Sequence, residues 1–545
     1  MGRTAVSLGI AVIVGSCGFV GLTTPTALSR SRLQAWGFGA TNGAPYAGDA
    51  RLLTTISPNG DGLRDAATLR FILAEAATVT LDVREARAPH RIVFSRTETQ
   101  PAGPDVITWA PLSVAPGTYL VRLALVDAAR NRRVYDALAN PPGQSVRMPV
   151  VRVLGIEGSF TRDSAAPGSV AILRLATDAS QFTVQIFQSG PERVPTFHDG
   201  VMHGVAVTRP VLVGWSAHPS RPATLRIRVG AWPSGVYYVR LAASDRRVGY
   251  APLIIRPARL GQHRIAVVLP TNTWQAYNFR DDDGDGIANT WYENRCPGCR
   301  VRLHRPFLDR GEPPHYRRYD LPFLHWLAWR GRAADYLTDS DLERIASGAL
   351  LARAYDLIVF PGHHEYVTRH EYDLVSRFRD LGGNLAFLSA NNFFWRVDRH
   401  GDVLRRIAEW RDLGRPEAAL IGVQYRANDR AERKGTFVVV SAAAAPWLFR
   451  ETGLHDGSSF TGFGSADGRF GIEIDSTAPS SPPQIRVLAE IRNLYGLGLT
   501  AQMTYYETLS GARVFAAGAF TLGGAATWDP VTTLLDNLWN HLARP

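Results

Sequence analysis

The sequence predicts a multidomain chain in which two β-sandwich modules precede an α/β domain with a mostly parallel sheet. Three observations predict it. From about Asp49 to Pro149, period-two runs such as Leu69-Arg70-Phe71-Ile72-Leu73 and Val79-Thr80-Leu81-Asp82-Val83 alternate with Pro and Gly turns, the pattern of half-buried strands. The ending Gly117-Thr118-Tyr119-Leu120-Val121-Arg122-Leu123 is echoed by Gly235-Val236-Tyr237-Tyr238-Val239-Arg240-Leu241, so the module occurs twice. At Arg264-Ile265-Ala266-Val267-Val268-Leu269-Pro270 the pattern changes to short apolar runs separated by helical stretches, which argues a parallel sheet with crossover helices.

A chain of 545 residues exceeds one hydrophobic core, and the expected order is as follows. Residues 1–30 form a signal peptide or membrane anchor, because Ala5 to Leu22 is uncharged and apolar behind a single Arg3. Residues 31–150 form the first sandwich and 151–260 the second; neither shows a catalytic constellation. Residues 261–545 form the α/β domain, with helices expected at Leu321–Arg330, Asp339–Leu351 and Arg369–Leu381 and strands at Asp356–Phe360 and Asn384–Leu388. The chain is therefore expected outside the cytoplasm: secreted, periplasmic or at the cell surface. Val14-Gly15-Ser16-Cys17 resembles a bacterial lipoprotein cleavage box, and Cys296 and Cys299 are placed for a small local disulfide in an exported protein.

The net charge of +11 does not point to nucleic acid. Lys434 is the only lysine and the arginines are scattered, with no basic stripe. With 45% hydrophobic and 20% charged residues the chain is globular.

Ligands of open parallel sheets sit at the carboxyl ends of strands. The segments there are Pro270 to Asn278, Pro361-Gly362-His363-His364-Glu365-Tyr366 and Ser389-Ala390-Asn391-Asn392-Phe393-Phe394-Trp395. Together with Trp410 to Pro416, Gly471-Ile472-Glu473-Ile474-Asp475 and Tyr505-Tyr506-Glu507-Thr508, they resemble the C-terminal domain of the N,N-dimethylformamidase large (beta) subunit over about His263 to Leu542. The stretch Ser57-Pro58-Asn59-Gly60-Asp61-Gly62, with Trp109 and the Gly-Thr-Tyr strand, resembles the immunoglobulin-like modules of flagellar hook-capping and secreted surface proteins.

The first resemblance implies a class I glutaminase-like α/β fold and a catalytic iron held by two tyrosines and a glutamate. It further implies hydrolysis of an amide-like C–N bond in a small-molecule or polymeric substrate. Tyr366 is the expected tyrosinate and Glu473 an expected carboxylate ligand, with His363, His364, Glu365 and Glu507 as acid–base or orienting groups. Before Trp410 the chain carries Arg405-Arg406-Ile407-Ala408 where a Gly-Glu-x-Gly-Gly stretch is expected. The alternative is a non-catalytic extracellular surface or carbohydrate-binding protein that retains the fold. A cysteine-dependent glutaminase is excluded, since the turn after Phe360 has no thiol, and no Gly-x-Ser-x-Gly elbow supports a serine hydrolase.

Residues 281–293 resemble a calcium loop. Asp281, Asp283, Asp285 and Asn289 supply oxygen at positions one, three, five and nine, and Gly286 permits the sharp turn, but Tyr292 stands where the last carboxylate is expected. Structural calcium is the expected cofactor there.

Overall fold

The computed structural model describes residues 33–40, 45–49, 53–87, 89–136, 150–193, 202–283, 287–293, 298, 300–429, 433–462 and 470–543. The leader segment, Cys17, Cys296, Cys299 and Asp285 lie outside the described residues. Among those described, no helix is long and apolar enough to cross a membrane.

The protein is β-rich, with many sheets and few helices. The first sandwich pairs a three-stranded sheet with a six-stranded one. Its core takes the alternate residues Leu69, Phe71, Val79, Leu81 and Val83. The second repeats the arrangement around Leu173, Val184, Ile186, Val239 and Leu241. The repeated Gly-x-Tyr sequence has a common structural use. Tyr119 donates its hydroxyl to the Ala115 carbonyl at 2.7 Å, and Tyr237 donates to Pro233 at 3.0 Å, each four residues back. Each phenol thus satisfies a loop carbonyl while its ring fills the core. The strand Val150–Val153 pairs with Leu53–Ile56 and with Gly117–Leu120, so the first module runs past residue 150.

The C-terminal domain is built on strands β1 (Ile265–Leu269), β2 (Asp335–Thr338), β3 (Leu357–Phe360), β4 (Asn384–Phe387), β5 (Phe437–Val439), β6 (Ser459–Phe460), β7 (Phe470–Ser476), β8 (Arg486–Ile491), β9 (Ala501–Glu507) and β10 (Arg513–Ala516). All but β7 form one nine-stranded sheet, ordered β2-β1-β3-β4-β10-β9-β8-β5-β6. The pairings from β2 to β10 are parallel, and those from β10 through β9, β8 and β5 to β6 are antiparallel. The sheet is therefore mixed rather than mostly parallel. β1, β3 and β4 are buried along their whole length, which is why they read as continuous apolar runs.

Helices α1 (Thr271–Ala276), α2 (Leu321–Trp329) and α3 (Arg369–Asp380) position the site. The long helix expected over Asp339–Leu351 is two short ones, Asp339–Leu342 and Gly348–Ala354. Gly348 restarts the helix hard against α3, where a Cβ would lie 2.7 Å from the Leu374 carbonyl oxygen.

Candidate active site

Three segments meet at the carboxyl ends of β1, β3 and β4, and each is pinned by backbone hydrogen bonds. Thr273, in α1, accepts the N–H groups of Glu365 and Tyr366 on its hydroxyl at 3.1 and 3.4 Å. Phe393 and Trp395 donate their N–H groups to the carbonyls of His364 and Glu365 at 2.6 and 2.9 Å. Asp475 receives the Asn391 N–H on both carboxylate oxygens, at 2.9 and 3.0 Å, which ties β7 to the loop after β4 and brings Glu473 beside His363. Asn391 and Phe393 in that loop, and Ile472 beside Glu473, have positive φ. Backbone strain at three non-glycine residues is thus concentrated on this rim.

The centre is one oxygen of Glu365. Tyr277 and Tyr292 donate their hydroxyls to it at 2.9 and 2.5 Å, and Nε2 of His363 lies 3.0 Å away. Tyr366 donates to the Tyr292 hydroxyl at 2.8 Å, one hydrogen bond removed from the carboxylate. Nδ1 of His363 stands 3.3 Å from the Ala390 carbonyl, and the nearer Glu473 oxygen is 3.7 Å from Nε2. That oxygen is buried with no hydrogen-bond donor.

Burial, then the negative charge of Glu365, raises the phenols of Tyr277, Tyr292 and Tyr366 well above the ordinary tyrosine value. His363 is pushed down by burial, but the carboxylates of Glu473 and Glu365 more than reverse this and its net shift is upward. An imidazolium that donates to Glu365 and to the Ala390 carbonyl accounts for both contacts. Burial raises Glu473, with His363 opposing.

Part of this cluster borders a cavity of roughly 230 Å³. His363, Glu473 and Tyr277 face it, with Trp274, Tyr319 and Phe520 supplying aromatic walls.

The expected residues divide accordingly. His363, Glu365, Tyr366 and Glu473 are brought together. His364 is turned away, buried edge-on against Phe360 with ring centroids 4.9 Å apart, and burial, then His363, lowers its imidazole to about 3. Glu507 is a correction. β9 is antiparallel to β10, so the carboxyl end of β9 falls at the opposite rim of the sheet. There Glu507 is exposed and accepts from Tyr505 at 2.7 Å.

In the acidic loop, the Asn289 side-chain oxygen accepts the Asp282 N–H at 2.6 Å. Asp282 faces the buried Arg305 at 3.3 Å. Asp281 and Asp283 are described but Asp285 is not, so the set of oxygens expected around calcium is incomplete among the described residues.

Sequence reasoning missed Tyr277, Tyr292 and Asp320. Tyr277 stands in the segment after β1, and its signal was its place directly after α1. Tyr292 was visible only as a departure from the calcium pattern, and Asp320 only as the residue before α2.

Among the described residues no group of three or more His, Cys, Asp and Glu is placed to hold a metal ion. What the cluster adds is phenol oxygen. Three neutral phenols chained to a single carboxylate oxygen form a hard-donor set whose protons a hard cation would replace, and the donor-free oxygen of Glu473 borders it.

The family model described as "N,N-dimethylformamidase beta subunit-like, C-terminal" matches residues 211–529. Two curated N,N-dimethylformamidase beta subunits, from Alcaligenes sp and Paracoccus aminophilus, are 30% and 29% identical over 118 residues. The aligned stretch is 22% of this chain and 15% of each relative. Among solved structures, DIP-gamma IG1+IG2 and the fibronectin(III)-like modules of Clostridium thermocellum CbhA each align with 42% of this chain and 98% of their own, at 10% identity. Their TM-scores of 0.15 and 0.12 are too low to define a common fold.

Proposed function

The chain belongs to the N,N-dimethylformamidase beta subunit-like family, and from that premise we propose that its C-terminal domain is a metal-assisted hydrolase of an amide-like C–N bond, on a class I glutaminase-like fold. The observation that carries the reading is the convergence of Tyr277, Tyr292 and His363 on one buried oxygen of Glu365 at the wall of a cavity. The apolar run from Ala5 to Leu22, read from the sequence as an export or anchor segment, supports a reaction outside the cytoplasm.

Tyr277, Tyr292 and Glu365 would hold an iron ion, with Tyr366 fixing Tyr292 from behind. Bound there, the ion would act as a Lewis acid toward the amide carbonyl. The remaining work belongs to the cavity's own groups. Cleavage of the C–N bond needs a base to take a proton from the attacking water and an acid to protonate the departing nitrogen. Glu473, lifted by burial and with one oxygen free of any donor, is suited to the first task. His363, a cation beside Glu365 and Glu473, holds at Nε2 the proton the leaving amine requires. The Ala390 carbonyl fixes the ring's orientation through Nδ1. The aromatic walls limit water around the reacting carbonyl.

Release of amine or ammonia from a panel of small amides tests this. The wild-type chain is expected to turn over at least one of them, and His363→Ala and Glu473→Gln each to lower kcat by about 10²–10⁴-fold. Wild-type protein with bound iron that hydrolyses no amide, or variants as active as the wild type, would refute the reading.

A further inference from the structure

The cavity is also lined by a second acidic residue that the reaction outlined above does not use. Asp320 immediately precedes α2 and is only 1% exposed. One carboxylate oxygen accepts from the indole N–H of Trp274 at 3.2 Å. The other, Oδ1, has no hydrogen-bond donor. It lies against Gly362, where a Cβ would approach to 2.1 Å, so the glycine makes room for this carboxylate beside the His363 loop.

A buried acceptor without a donor is costly, and a ligand that brings the missing donor is favoured over an isostere that cannot. The rest of the cavity offers aromatic faces to the body of such a ligand. An N,N-dialkyl amide has a carbonyl acceptor and no N–H. A primary carboxamide has two N–H groups on the nitrogen whose bond is to be cut.

We propose that Asp320 is a specificity-determining residue that selects amides bearing N–H on their nitrogen, primary carboxamides above all, against N,N-dialkyl amides. The proposal rests on the reading of this cavity as the substrate site. It sets this chain apart from relatives named for N,N-dimethylformamidase.

The variant Asp320→Asn is informative because of Trp274. Its indole N–H can bond only the carboxamide oxygen of the new side chain, which leaves the NH₂ group at the position of Oδ1. The acceptor becomes a donor with almost no change of shape.

The experiment is a ligand-observed NMR titration of the full chain at about pH 9, where the Asp320 carboxyl is ionised, with acetamide and with N,N-dimethylacetamide, run beside an assay for released ammonia or dimethylamine. Wild-type protein is expected to bind acetamide at least about tenfold more tightly. In Asp320→Asn, with its melting temperature confirmed, the preference is expected to vanish or reverse. Equal binding of the two amides by the wild type overturns the proposal and needs no variant to show it. An undiminished preference in Asp320→Asn also overturns it. If neither amide is hydrolysed while the binding preference persists and depends on Asp320, the hydrolase reading fails and the selection by Asp320 stands.

Discussion

Burial holds the Asp320 carboxyl at about 7, above its ordinary value of 3.8, with Trp274 and His363 opposing. A carboxyl raised in the folded state contributes its stability in full below the unfolded value and loses it as pH climbs through the folded one. Asp320→Asn, uncharged at every pH, is therefore expected to match the wild type near pH 4. Above about pH 8 it should be more stable by up to a few kcal/mol, as read by denaturant unfolding across that range. At this scale the sequence showed part of the site. Glu365 and Tyr366 were legible because they follow β3 directly, and a strand end followed by a polar run is a local signal. Tyr277 and Tyr292 were not, since their hydroxyls meet Glu365 across 88 and 73 residues and no spacing rule encodes that. Glu507 misled because its motif also ends a strand, and the direction of that strand is a property of the sheet.

Helix α3 shows how a single element carries the site. Thr368 accepts the Glu371 N–H at 3.1 Å, and Glu371 accepts the Thr368 N–H at 2.6 Å, a complete capping box that begins two residues after Tyr366. Thr368→Ala is expected to lower stability by about 1 kcal/mol in urea unfolding. This helix and α2 were legible in outline, because capping residues and apolar spacing are local. The break between Asp339–Leu342 and Gly348–Ala354 was not, because it answers to α3 packing on Gly348. The acidic loop bears on the site through Tyr292. If Asp281, Asp283, Asp285 and Asn289 hold calcium, as we propose, millimolar calcium should raise the melting temperature of the wild type and leave Asp283→Asn nearly unmoved. A chelator-treated wild-type protein that melts at the same temperature with and without calcium would contradict this.

Across the whole molecule, the second sandwich and the C-terminal domain share one core. Tyr238, Tyr250 and Ile254 of the sandwich cluster with Trp274, Tyr316 and Leu324 of the domain. Ser189 and Tyr316 join hydroxyls across the boundary at 2.7 Å. The family match begins at residue 211, inside the sandwich, in keeping with this continuity. The sequence showed two separate modules because repetition is visible in a chain and shared burial is not. The two sandwiches meet through Asp178, which has no exposed side-chain surface and pairs with Arg247 at 2.7 Å and Arg64 at 3.5 Å. Asp178→Ala removes the buried carboxylate that the two arginines share, although Arg247 keeps Asp245 at 2.6 Å, and a loss of about 3 kcal/mol is expected.

The claim on which the functional account turns is that the phenols around Glu365 are metal ligands in waiting. Titration of the purified full chain with iron, followed in the visible spectrum, tests it most directly. The account predicts a tyrosinate-to-iron charge-transfer band that saturates at one equivalent and disappears in the double variant Tyr277→Phe/Tyr292→Phe. No band in the wild type, or a band that the double variant retains in full, would contradict it.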